Sequence, residues 1–172
     1  MDINEVWRSI EGFPKYQVSN IGRVRNATTG RILKQTTSNN GYQKVSLYNE
    51  RGLKCVAVHT VVAQEFLARP PGEGGKLEVD HINRSKADNH ARNLRYASHS
   101  QNMMNRRKQT RRVTSSQYKG VQWCKQRQRW KASIKLDGRR MHLGVYACEE
   151  EAALAYDLKA EEIFGEHALL NF

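Results

Sequence analysis

The chain is written almost entirely in strand-length runs, and only one stretch is long and periodic enough for a full-length helix. QVSN, GRVRN and RILKQ are separated by the turn residues Asn20, Gly22 and Gly30. YQKVSLYNERGLKCVAV alternates apolar and polar positions around Asn49-Glu50-Arg51-Gly52, which predicts a hairpin ending near Val58. HTVVAQEFL (59–67) suits a short helix, and PPGEGG (70–75) breaks the chain before a strand at Lys76–Val79. Ser98 and Gln101 have capping-box spacing, so a helix should run from His99 to about Lys108. From Tyr118 onward, YKGVQWC, RWKASIKL and RRMHLGVY read as three strands, with a turn at Gly138. Glu149–Phe164 is the long helix: acidic in its first turn, alanine-rich, with Ala152, Ala155, Tyr156, Ala160 and Ile163 on one face. With 172 residues, of which 38% are hydrophobic, the chain should build several small cores rather than one large one. The expected class is α+β, a small multi-module chain.

The formal net charge of +12 favours a polyanion as partner, nucleic acid first. The charge is unevenly placed. Residues 119–142 carry 8 basic side chains against 1 acidic, whereas 149–166 carry 1 against 7. One surface of the C-terminal module should meet a polyanion and another avoid it. RRKQTRR (106–112) reads as a basic linker able to bind phosphate, Arg106 and Arg107 included. Cys55, Cys124 and Cys148 are far apart, which speaks against a disulfide framework or a zinc site and for buried free thiols in a reducing compartment. The absence of an 18-residue apolar run and of a signal-peptide core predicts a cytoplasmic protein with no membrane partner.

Chemistry concentrates in LEVDHINRSKADNHARNLRYASHSQNMMNRRK. A neutral imidazole at His81 can take a proton from water near neutral pH. Asp80 offers a hard oxygen to Mg²⁺ or Mn²⁺, and Asn102, near the start of the predicted helix, offers a second. Adjacent strand residues point to opposite faces, so Asp80 and His81 share a site only if the strand distorts or the substrate wedges in beside both.

That segment resembles the HNH (ββα-metal) nucleases of the homing type: two strands, a loop and a helix around one cation. The resemblance implies His81 as general base, Asp80 and Asn102 as metal ligands, and Asn93 as the residue that holds the loop and orients the base. It also implies one Mg²⁺ or Mn²⁺ per site and no zinc. His59 stands where similar endonucleases carry a histidine before a valine-rich helix and reads as structural or phosphate-contacting.

EVWRSIEGFPKYQVSNIGRVRN resembles the nuclease-associated modular DNA-binding motif that precedes HNH segments. Trp7, Ile10, Phe13, Tyr16 and Val18 would form its core, and Arg23 and Arg25 would contact DNA. YKGVQW, RWKASI, HLGVY, EEAALAYD and ALLNF resemble the Apetala-type, or ethylene-response-factor, DNA-binding domain, which lays a three-stranded sheet in the major groove with a helix behind. The resemblance implies DNA-facing roles for Lys119, Gln122, Trp123, Arg129, Trp130, Lys135, Arg140 and His142. Lys119, Gln122 and His142 depart from the plant pattern, so its target sequence does not transfer.

The expected division is an N-terminal antiparallel β module (1–53), a nuclease module (54–108), a basic linker (109–117) and a three-stranded sheet plus helix (118–172). The expected function is a metal-dependent, sequence-directed DNA endonuclease of phage or intron type. It would leave a 5′-phosphate and a 3′-hydroxyl on double-stranded DNA and nick as a monomer, with dimerisation or two visits needed for a double-strand break. The alternative is a DNA-binding regulator with a vestigial nuclease centre.

Overall fold

The computed structural model describes residues 4–71, 76–108 and 114–172. Part of the PPGEGG run, and residues 109–113 of the expected linker, lie outside the described residues. The chain is mixed α and β with antiparallel sheets, as the strand-length runs predict, and divides into two compact units, Met1–Ser98 and His99–Phe172.

In the first unit, β1 (Trp7–Ile10), β2 (Phe13–Ser19) and β3 (Val24–Asn26) form one sheet. β4 (Thr36–Thr37), β5 (Gln43–Asn49) and β6 (Gly52–Ala57) form a second, and the β5–β6 hairpin closes with Asn49 opposite Gly52. RILKQ does not form a strand of a sheet; it makes a single bridge from Ile32 to Arg25, and pairing begins at Thr36. Helix α1 (Val58–Phe66) follows. β7 (Glu78–His81) and β8 (Leu94–Ala97) then make a two-stranded ribbon. α1 packs on both three-stranded sheets and on both strands of the ribbon.

One cluster therefore holds the whole unit. Ile10, Phe13, Val18 and Val24 from the first sheet meet Val45 and Leu47 from the second, Val58, Val61 and Val62 from α1, and Leu94 from β8. Each buried valine or leucine contributes roughly 1.5–3 kcal/mol relative to exposure. Separate small cores for residues 1–53 and for the nuclease segment are not what forms, because α1 is too short to bury its valines alone and takes apolar surface from both sides. Trp7 and Tyr16, expected in the core, stay half-buried at its margin.

The second unit contains α2 (His99–Met104), β9 (Val121–Cys124), β10 (Arg129–Leu136), β11 (Arg139–Tyr146) and α3 (Glu149–Phe164), with sheet order β11-β10-β9. α3 covers one face of the sheet through Ala152, Ala153, Tyr156, Ala160 and Phe164. α2 stops at Met104 rather than near Lys108. The Met104 carbonyl accepts from the Leu169 backbone N–H (3.2 Å) and from the Lys119 ammonium, and is not left to a further helical turn. Met104 joins Ile134, Tyr156 and Phe164 in a core cluster. Asp157 is buried on α3 because its carboxylate accepts from the backbone N–H groups of Asn171 (2.8 Å) and Phe172 (3.1 Å).

Candidate nuclease centre and nucleic-acid faces

The β7–β8 register sets Asp80 opposite Arg95 and His81 opposite Leu94. Both chemical residues are buried, Asp80 at 6% exposure and His81 at 4%. Strand alternation sends them to opposite sides. On one side, the Asp80 Oδ2 accepts from Arg95 Nη2 (3.0 Å) and Nε (3.1 Å), a paired and largely buried carboxylate. On the other, His81 meets Tyr42 (ring centroids 5.9 Å) and stands edge-on to His59 (5.1 Å). The His81 Nε2 lies 3.2 Å from the Asn89 Oδ1.

The loop between the strands is clasped by Asn93. Its Oδ1 accepts from the Asn83 backbone N–H (2.9 Å) and its Nδ2 donates to the Asp88 carbonyl (2.8 Å). Its own carbonyl accepts from the Ile82 N–H (2.8 Å). Three bonds from one short buried side chain and its backbone thus hold residues 82–93 in a single path. Asp80 and His81 lie side by side on β7 with their side chains on opposite sides, and Asn93 ends the loop just before β8. Asn102 lies half-buried on α2, in the C-terminal unit.

The donor chemistry suits a hard divalent cation. A carboxylate and an amide oxygen are oxygens of the kind Mg²⁺ takes, with water and phosphate filling the remaining positions. Among the described residues, no group of three or more His, Cys, Asp and Glu side chains is placed to hold a metal.

Burial pushes the His59 imidazole down to about 4, with the neighbouring His81 adding to the effect, and its Nδ1 is buried without a hydrogen-bond partner. Burial also lowers His81, partly offset by the Asn89 bond and by Asp80 and Asp88. Both rings are therefore neutral at pH 7. The folded state resists protonating them, whereas the unfolded chain protonates near the ordinary histidine value. The contribution of His59 to stability is complete above pH of about 6.5 and is lost as pH falls toward 4, and that of His81 is likewise lost on acidification. The melting temperature of the N-terminal unit should accordingly fall between pH 7 and pH 5, and fall less in His59→Gln. Identical pH profiles for the two proteins would refute the burial account of His59.

The DNA-facing candidates fare unevenly. In the C-terminal sheet, Ala132 and Ile134 face α3, and Trp130 packs on the same side against the cluster of Val121, Ala152 and Ala153. Trp123 is the cross-strand partner of Trp130, with ring centroids 5.0 Å apart, so it shares that side. Strand register thus puts the two tryptophans on the helix-backed side of the sheet. Lys119 turns its ammonium onto the Met104 carbonyl instead of presenting it outward. Gln122, Arg129, Lys135, Arg140 and His142 are exposed, and the register places them on the outer face. Lys131, opposite Gln122, shares that face and went unnoticed in the sequence, although it stands two residues from Arg129 and four from Lys135.

Arg23 is ion-paired with Glu5, and Arg25 donates to the Gln17 Oε1 (2.9 Å) and lies 4.1 Å over the Trp7 ring. Both are thus engaged within the first unit. Arg106 and Arg107 are exposed just beyond α2. Two further residues escaped sequence reading, Arg95 and Asn89. Arg95 could have been found by pairing the DH and LRY segments as a ribbon; Asn89 lies in a loop with no periodicity to single it out.

In chain order, a β-rich segment precedes a clasped two-stranded ribbon with a buried Asp-His pair, and a three-stranded sheet backed by a helix follows. Family models match in that order: the NUMOD4 motif over residues 5–48, HNH endonuclease over 56–104 and the AP2 domain over 116–166. The chain is similar to an HNH endonuclease of Acanthamoeba polyphaga mimivirus, with 39% identity over 103 residues, 58% of this chain and 25% of that protein. It is 34% identical to the DNA endonuclease I-HmuI of Bacillus phage SP01 over 100 residues, 58% of this chain and 56% of that one. An AP2-like ethylene-responsive transcription factor of Arabidopsis thaliana matches 33% of the chain at 44% identity and 17% of its own length. A solved structure of I-HmuI, on DNA binding and cleavage by that HNH homing endonuclease, superposes with a TM-score of 0.52 at 33% identity, covering 58% of this chain and 56% of the other. The chain thus spans about half or less of the length of these curated relatives. Among the described residues, no helix is long and apolar enough to cross a membrane.

Proposed function

We propose that this chain is an intracellular, divalent-metal-dependent DNA endonuclease that cuts one strand of duplex DNA as a monomer. Residues 54–108 would carry the chemistry, and residues 1–53 and 118–172 would position it. The observation that carries the reading is the pairing, on adjacent buried positions of one clasped ribbon, of a carboxylate and a neutral imidazole. Likeness to I-HmuI over more than half of the chain supports it.

His81 accepts a proton from water as the water oxygen attacks phosphorus. The P–O3′ bond breaks, leaving a 5′-phosphate and a 3′-hydroxyl. Asp80 and Asn102 are the candidate protein donors for a divalent cation, which would supply neutralisation of phosphate charge. Arg95 holds the Asp80 carboxylate in place. Asn93 keeps the loop, and with it the base, in one arrangement.

The experiment is conversion of supercoiled plasmid. Nicked circles should accumulate with Mg²⁺ or Mn²⁺ and not with chelator; activity that survives chelation would refute the proposal.

On the outer face of the C-terminal sheet, Lys135 and Arg140 are cross-strand partners and supply cations for two phosphates. Alanine at both should reduce the slope of log affinity against log salt by about 2, roughly 0.9 for each phosphate no longer neutralised. An unchanged slope would place the duplex elsewhere.

A further inference from the structure

A hydrogen bond at the His81 Nε2 determines which of its nitrogens carries the proton. The partner of Nε2 is the Asn89 side-chain amide, only 4% exposed. That amide has one orientation: its Nδ2 donates to the Ala87 carbonyl at 3.4 Å, so its Oδ1 is what faces the imidazole. An amide oxygen only accepts, so Nε2 must carry the hydrogen. Nδ1 is then the nitrogen with the lone pair.

Asn89 is held from behind by the N-terminal sheet. The turn after β2 brings Gly22 so close that a Cβ there would stand 2.8 Å from the Asn89 Cβ and 3.1 Å from its carbonyl oxygen. The strap on either side of Asn89 is tied as well. The Asn20 carbonyl accepts from the Ala91 N–H (2.7 Å), and the Asp88 carbonyl accepts from Asn93. Gly22 is itself pinned, because its carbonyl accepts from the Gln35 side chain (2.7 Å).

We propose that Asn89, backed by the Gly22 turn of the N-terminal sheet, is the positioning residue that fixes His81 in the Nε2–H tautomer and leaves Nδ1 as the proton acceptor. The N-terminal module then does more than bind: it is a structural wall of the catalytic ribbon. This rests on the reading of His81 as the general base.

The test is ¹⁵N NMR of the His81 imidazole in the full chain at neutral pH, together with single-turnover cleavage and duplex affinity. Wild type should show a single tautomer protonated at Nε2. Asn89→Ala should show a mixture, with cleavage slowed about 100-fold and duplex affinity unchanged. Asn89→Asp keeps an acceptor in place and should keep the tautomer. Gly22→Ala should shift the His81 signals as Asn89→Ala does. A wild-type ring protonated at Nδ1 overturns the proposal even if DNA is cut. So does an Asn89→Ala protein that retains both the tautomer and the rate. Full cleavage by His81→Ala would instead sink the general-base reading and leave the tautomer result standing.

Discussion

His81→Ala should cut DNA about 10²- to 10⁴-fold more slowly than wild type, the usual contribution of a positioned general base, while binding duplex with undiminished affinity. The two effects separate because His81 is 4% exposed and is engaged with Asn89 and with the His59 ring inside its own unit. The ring is neutral at physiological pH because burial lowers it, which is the form a base needs. Single-turnover cleavage and gel-shift affinity on the same preparation would check this. An equal loss of both would mean that the ring supports the fold rather than the chemistry, and full activity would remove it from the mechanism.

Gly120→Ala should be the most damaging single change to the C-terminal unit. Gly120 has φ +78, and a Cβ there would lie 2.0 Å from the Tyr156 Cδ2 and 2.4 Å from its Cε2. Tyr156 is 2% exposed, packed among Met104, Ile134, Ala160 and Phe164, so its ring has nowhere to retreat. The left-handed backbone costs about 1–2 kcal/mol for a residue with a side chain. Overpacking adds about 1–3 kcal/mol. Together they give roughly 2–5 kcal/mol, enough to lower the melting temperature of a small domain by about 10 °C or more. Calorimetry of the full chain should show the loss, and a shift equivalent to less than about 1 kcal/mol would mean that the β9 turn relaxes freely.

What could be read in advance follows from how local each signal is. β10, β11 and α3 are legible because period-two and period-3.6 patterns are properties of neighbouring residues. The Asp80-His81 pair is legible as two adjacent residues, whereas the role of Asn93 comes only from the resemblance to HNH nucleases. Which way Trp123 and Trp130 point was not, because only the β9–β10 register decides it. Aromatic residues next to basic ones look alike in sequence whether they meet a ligand or a helix. The length of α2 was not legible either, because the donors that take the Met104 carbonyl come from residues 119 and 169. Likewise, the single core of the first unit depends on α1 meeting strands on both sides of it in the chain. Asn89 had no local mark at all; its importance comes from His81 on one side and Gly22 on the other.

The most direct test of a metal-assisted nuclease centre at Asp80 and His81 is digestion of a genomic or randomised duplex pool with Mg²⁺, followed by sequencing and ligation of the ends. Recurrent ends at one sequence, bearing ligatable 5′-phosphates and 3′-hydroxyls and missing from the His81→Ala digest, are the predicted result. Tight duplex binding with no ends above the His81→Ala background would contradict it and leave a protein that only binds.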